Sequence, residues 1–223
     1  MRPYYQDELV TLYHGDSADI LPDLPEFDLL LTDPPYGIGE HYGNRSGPKC
    51  SSRLAEYLVE GWNEYVPHDV IAAAVEKCRR WMVFGLPYVH VPGSSCLFVW
   101  DKCNCCRGQL STHVGIACGP RESFGIAADW VRASPAEVTS RDGLRVHPTQ
   151  VPLSVMDGCI GFATKRKTGE AGGPPASILE PFAGSGSSLV AAKAAGIPST
   201  GIEREEQYCE AIVERLRQGV LFA

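Results

Sequence analysis

Ser177-Ile178-Leu179-Glu180-Pro181-Phe182-Ala183-Gly184-Ser185-Gly186-Ser187 decides the fold of this chain. A short apolar run leads into a proline and two glycines, and a stretch rich in Ala, Leu and Lys continues to Ala195. The segment therefore reads as a buried parallel strand, a tight turn and a helix. Glycine at 184 and 186 accepts turn dihedrals that a side chain resists and lets the backbone approach a ligand closely. The helix N-terminus behind the turn presents free N–H groups to a polar ligand. Gly196-Ile197-Pro198 turns the chain back, and Ser199-Thr200-Gly201-Ile202 is a second strand ending in Glu203. An acid at that tip is placed to accept from both ribose hydroxyls of a nucleoside cofactor. The third glycine of a dinucleotide fingerprint is replaced by Leu189, which argues against a nicotinamide. Alone, the unit describes any Rossmann-like nucleotide binder.

A second strand exit narrows this. Phe27-Asp28-Leu29-Leu30-Leu31 runs into Thr32-Asp33-Pro34-Pro35-Tyr36, and open α/β sheets bind their ligands at such carboxyl ends. Successive prolines fix φ and restrict the residues before them, so the loop carrying Asp33 is stiff before any ligand arrives. An isolated Pro-Pro-Tyr would read as an ordinary turn or a proline-rich ligand motif.

Taken together, Asp33-Pro34-Pro35-Tyr36, Phe182-Ala183-Gly184-Ser185-Gly186 with Gly201-Ile202-Glu203, and Arg145-Val146-His147-Pro148-Thr149-Gln150 resemble the motifs of DNA amino-methyltransferases. Leu12 to Ser17 and Trp100-Asp101-Lys102 extend the likeness, which is thinnest over residues 40–70 and 103–145. Catalytic loop first and cofactor loop last resembles the circularly permuted β group of that family. The resemblance implies a Rossmann-like α/β methyltransferase fold, a mostly parallel central sheet with helices on both faces. It implies one catalytic domain over 1–223, with 103–146 as a short inserted target-recognition region. It further implies S-adenosylmethionine as cofactor, double-stranded DNA as partner, and a methyl transfer to the N6 amine of adenine with base flipping. Asp rather than Ser at 33 favours adenine; cytosine N4 is the close alternative.

The residues suit that chemistry. An exocyclic amine is a poor nucleophile because its lone pair is delocalised into the ring. Acceptors on both N–H groups, the Asp33 carboxylate and the Pro34 carbonyl, would draw the nitrogen toward pyramidal geometry. In-line transfer gains chiefly from orientation. Pro35 stiffens the loop, and Tyr36 offers a ring on which an extruded base can stack. By resemblance, the cofactor set is Asp16, Asp33, His147, Thr149, Gln150, Glu180, Phe182, Ala183, Gly184, Ser185, Gly186, Ser187 and Glu203. Asp16 corresponds to the position near the cofactor's adenine, with capping of the next turn as its alternative. After Gln150 the family commonly continues Lys-Pro, whereas this chain has Val151-Pro152; Glu180 stands where the family usually has Asp.

The 223-residue chain, 44% hydrophobic and 21% charged, has ordinary globular composition. Met1 to Val10 lacks a signal-peptide run and no stretch has membrane-span length, so a cytoplasmic protein is expected. Nine cysteines at irregular spacing point to reduced thiols. Cys103-Asn104-Cys105-Cys106 with His113 and Cys118 lacks paired Cys-x-x-Cys knuckles, so no metal is expected. A net charge of −7 disfavours a uniformly DNA-coating surface. The local basic candidates are Arg45, Lys49 and Arg53 beside the catalytic loop, with Arg121 and Arg141 further on; Arg132, Arg145 and Lys165 to Lys167 are further basic positions.

Further strands are expected at Leu9–Tyr13 and Ser95–Trp100. Helices are expected at Val70–Trp81, on the apolar stripe 71, 74, 75, 78 and 82, at Leu153–Phe162 and at Glu205–Gln218. Residues 163–175 read as a linker and 41–64 as a flap. A homodimer is left open, since a short recognition region could be shared with a second subunit. Two other readings also stay open: a homologue that binds but no longer catalyses, and methylation of RNA or a protein amide, which usually carries Asn at the first position of the catalytic run.

Overall fold

A computed structural model describes residues 1–38, 64–86, 88–103, 113–120, 123–124, 126–140, 142, 145–147, 149–165 and 173–218. Its frame is a nine-stranded sheet built from the short apolar runs. In chain order the strands are β1 (Tyr5–Gln6), β2 (Val10–His14), β3 (Phe27–Thr32), β4 (Cys78–Leu86), β5 (Cys96–Asp101), β6 (His113–Gly119), β7 (Ala128–Arg132), β8 (Ile178–Glu180) and β9 (Ser199–Glu203). The helices are α1 (Ser17–Ile20), α2 (His68–Glu76), α3 (Glu137–Ser140), α4 (Leu153–Thr164), α5 (Ser187–Ala194) and α6 (Glu206–Arg217).

The spatial order is β1-β2-β9-β8-β3-β4-β6-β5-β7. β2, β9, β8, β3 and β4 pair in parallel, β6 runs antiparallel between β4 and β5, and β7 lies parallel to β5. The expected mostly parallel α/β sheet is therefore present, with helices on both faces. Leu29 and Leu31 pack with α4 and α5 residues such as Val155 and Ala192 on one side. Leu30 packs with Ile20, Ile71 and Ala74 of α1 and α2 on the other. Such a strand is buried on both faces, which is why it reads as a continuous apolar run.

Two expectations need correction. The helix expected over 70–81 stops at Glu76, and the chain re-enters the sheet at Cys78 as β4. Cys78 and Met82 satisfy both a helical and a period-two pattern, and pairing with β3 and β6 decides between them. Lys77 fixes the junction by donating to the Leu24 carbonyl at 2.6 Å. The second concerns 103–146: β6 and β7 are strands of the central sheet, so any insert for target recognition is confined to the rest of that span. Of the flap at 41–64, residues 41–63 lie outside the described residues, as do 166–172 of the linker.

Candidate active site

Because β2, β9, β8 and β3 are parallel neighbours, their carboxyl ends share one rim. That rim brings together Asp16, Glu203, Glu180 and Asp33 from four distant parts of the sequence. They line one cleft together with Pro35, His147, Thr149, Phe182, Ala183, Gly184, Ser185 and Ser187.

The two strand exits are bonded to each other. Thr32 Oγ1 donates to Glu180 Oε1 at 2.5 Å, the Phe182 amide donates to the same oxygen at 3.1 Å, and Ser188 Oγ reaches Oε2 at 3.1 Å. Glu180 is only 2% exposed. Burial pushes its carboxyl up to about 8, against these three donors, which pull it down. Ser17 Oγ donates to the Pro181 carbonyl, tying α1 to the same turn.

At the β3 exit, the Tyr36 hydroxyl donates to Asp33 Oδ1. Burial raises the Asp33 carboxyl to about 6, while the Tyr36 hydrogen bond and the Lys102 ammonium draw it down. Lys102 follows β5 and lies over the Trp100 ring, 4.9 Å from its centroid. The Tyr36 ring lies nearly parallel to Tyr88, at 12° and 6.0 Å between centroids. It packs over Gly85, where φ is +106° and a Cβ would stand 2.5 Å from Tyr36 Cε1. β4 is irregular at this point, between Phe84 and Leu86.

Glu203, the acid expected to accept from ribose hydroxyls, is bonded to two backbone amides at the β9 exit. Its Oε2 accepts from the Gly184 amide at 2.6 Å and its Oε1 from the Glu205 amide at 2.8 Å. Burial raises it to about 7 despite those bonds. A carboxylate has about four lone-pair sites, so acceptor capacity remains. Asp16 caps α1 by accepting from the Ala18 amide at 2.8 Å, and it also lines the cleft.

His147 Nδ1 accepts from the Thr149 amide at 3.3 Å and lies 3.2 Å from Thr149 Oγ1, which fixes the tautomer with its proton on Nε2. Burial first, and Arg145 second, hold His147 down to about 4, so the ring is neutral. Its edge meets Tyr208 of α6 at 4.6 Å. Gln150 does not line the cleft: it is 3% exposed, and its Oε1 accepts from the Val146 amide at 2.9 Å, bracing its own turn. Gly186 also faces away. Its φ is +72°, and a Cβ there would meet Ile212 of α6 at 2.8 Å.

The basic residues Arg45, Lys49, Arg53, Arg121 and Arg141 lie outside the described residues. Arg132 is paired with Asp101 at 3.0 Å and Lys165 with Asp129 at 2.6 Å, and Arg145 donates to the Pro135 carbonyl. Sequence reasoning assigned no role to Thr32, Gly85, Tyr88, Lys102, Ser188 or Arg215. Of these, Thr32 and Lys102 lay within the motifs Thr32-Asp33-Pro34-Pro35-Tyr36 and Trp100-Asp101-Lys102.

The model of the DNA methylase family, whose members are N6/N4 amino-methyltransferases, matches residues 93–214, from the lead into β5 through the glycine turn to α6. The chain belongs to the DNA methylase family. This methylase is 27% identical to the type II methyltransferase M.ScaI of Streptomyces caespitosus, over 96% of its own length and 84% of the relative's. It is 27% identical to the putative methylase YubD of Escherichia coli, over 91% and 88%. Its fold is that of M1.HpyAVI, solved as a complex with SAM (TM-score 0.61, 18% identity, 93% and 99% of the two chains). The cytosine-N4-specific PvuII DNA methyltransferase is also similar in fold (TM-score 0.59, 15% identity, 96% and 88%).

Proposed function

We propose that this methylase moves the sulfonium methyl of S-adenosylmethionine to the N6 amine of adenine in duplex DNA. The observation that carries the reading is the bonded adjacency of a proline-stiffened acidic loop, Asp33 to Tyr36, and an acid-tipped glycine turn, Glu180 to Ser187, through Thr32 and Glu180.

The residues fit that cofactor. A Cβ at Gly184 would extend into the cleft to 3.7 Å from His147 Nε2, so the glycine keeps open a cradle that a side chain would fill. Hydroxyls and amides of the turn, with Thr149, suit the amino-acid end, Glu180 its ammonium, Glu203 the ribose, and Asp16 the adenine. Phe182 and Ala183 supply apolar surface beside them. Bound there, S-adenosylmethionine supplies an electrophilic methyl group.

The chain's own residues do the rest. Asp33 and the Pro34 carbonyl accept from the two N–H groups of the target amine, and Asp33 takes up the proton that the nitrogen sheds. Asp33 must be ionised to do so, and with its carboxyl at about 6 it is mainly ionised at neutral pH. Tyr36 receives the extruded base on its ring. Pro34 and Pro35 keep the loop from relaxing as the base arrives. Arg45, Lys49 and Arg53, next in sequence, are assigned to backbone phosphates, with Arg121 and Arg141 further along.

Asp at 33 supports adenine through resemblance, and cytosine N4 is the second reading because its amine presents the same two N–H groups. The test is incorporation of labelled methyl into unmethylated duplex DNA, with calorimetric binding of S-adenosylhomocysteine alongside. Transfer by wild type and none by Asp33→Ala, with binding retained, is expected. Binding without transfer by wild type would leave a binder that has lost catalysis.

A further inference from the structure

Arg215 of α6 reaches the back of the glycine turn. Its Nη1 donates to the Ser185 carbonyl and lies 3.4 Å from Ser187 Oγ. Ser187 Oγ in turn donates to the Val151 carbonyl at 2.8 Å and lies 3.1 Å from Ser185 Oγ. Nη2 of the same guanidinium is buried and has no hydrogen-bond partner. A buried guanidinium is costly unless an anion or a full set of acceptors answers it. Asp142 answers it electrostatically, and the Asp142 carboxylate also accepts from the Leu153 amide at 2.8 Å. Ser185 and Ser187 line the cleft, whereas Arg215 meets them from the other side of the turn. Position 151, directly beside them, is an apolar, buried valine rather than a cation.

We propose that Arg215 is a positioning residue for the amino-acid arm of the cofactor: from behind the Ser185–Ser187 turn it holds the turn's geometry and supplies the positive charge that favours a carboxylate on its cleft side. The inference rests on the proposed cofactor. A zwitterionic arm needs a cation near its carboxylate, while Glu180 provides the acid for its ammonium. α5 begins at Ser187 in the same turn, and the N-terminus of a helix carries partial positive charge. Arg215 acts through Ser185 and Ser187 without touching the ligand, so its effect depends on whether the ligand has the arm at all.

The test compares two nucleosides by calorimetry: S-adenosylhomocysteine, which carries the amino-acid arm, and 5′-methylthioadenosine, which lacks it. Arg215→Gln is expected to weaken S-adenosylhomocysteine about tenfold or more and 5′-methylthioadenosine less than about threefold. Arg215→Lys, which keeps the charge, should stay within about threefold of wild type for both. Equal weakening of both ligands by Arg215→Gln would mean a merely structural role and overturn the proposal, as would no weakening of either. If Arg215→Gln shows no cooperative melt, Arg215→Lys decides: affinity within about threefold supports the proposal, and a tenfold loss overturns it. Wild type that binds neither nucleoside would instead overturn the cofactor assignment itself.

Discussion

Thr32 and Glu180 are joined by a 2.5 Å hydrogen bond that crosses from the strand carrying Asp33 to the strand carrying the glycine turn. Two segments 148 residues apart in sequence are thereby held at one register, beyond what the β3–β8 ladder alone fixes. One methylene more than Asp lets Glu180 accept from Thr32, Phe182 and Ser188 together.

Glu180→Gln should be tolerated in folding. With its carboxyl pushed up to about 8, Glu180 is largely neutral at pH 7, and the Ser188 hydroxyl can turn to accept from an amide. A loss of about 1 kcal/mol is expected. Glu180→Ala leaves Thr32 and Ser188 unanswered and should cost about 2–4 kcal/mol. Urea unfolding at pH 7 measures both.

Stability of the ligand-free protein should rise as pH falls from about 8.5 to 6.5. Glu180 and Glu203 have folded values of about 8 and about 7, above the ordinary 4.5, so the folded state binds more protons in this window. Their contribution is fully present below the unfolded value and is lost as pH rises through the folded one. Below about 6.5, His147, held down to about 4, begins to oppose the gain because it resists protonation when folded. Thermal melts across this range check the sign, and Glu180→Gln should flatten the upper part of the curve.

Asp33 must accept hydrogen bonds as a carboxylate, so kcat/KM should fall about tenfold per pH unit below about 6. Tyr36→Phe removes a donor that favours the ionised form and should move this limb to higher pH. Tyr36→Ala should in addition weaken productive base binding by about 1–3 kcal/mol. Steady-state profiles with a duplex substrate separate the two effects.

Gly85→Ala should damage the site from outside the motif. The new Cβ would sit 2.5 Å from Tyr36 Cε1 and 2.9 Å from Val89 Cγ2, at a φ of +106°. A stability loss of about 1–3 kcal/mol and a fall in turnover are expected, with S-adenosylhomocysteine affinity nearly unchanged. Unfolding, turnover and calorimetry report these separately.

What could be read in the sequence was local. The β8–turn–α5–β9 unit and the β3 exit announce themselves through apolar runs ending in Gly and Pro, and the structure keeps both. β4 was hidden because Cys78 and Met82 fit a helical stripe as well as a strand. β6, whose Val114-Gly115-Ile116-Ala117-Cys118 is rich in small residues, is made a strand by β4 and β5 on its two sides. At the site, motif residues were legible but their partners were not. Gly85, Tyr88, Lys102 and Arg215 arrive from other strands and helices through contacts that no local pattern encodes. Gln150 shows the reverse: it belongs to a site motif, yet here it braces its own backbone.

The measurement that bears most directly on the central claim is mass spectrometry of nucleosides digested from unmethylated duplex DNA after incubation with the protein and methyl-labelled S-adenosylmethionine. The account predicts label in N6-methyladenine with Asp33 intact, and none with Asp33→Ala. Label in N4-methylcytosine alone would contradict the assignment of the target base, and no labelled nucleoside from an enzyme that binds S-adenosylhomocysteine would contradict the proposed transfer to DNA.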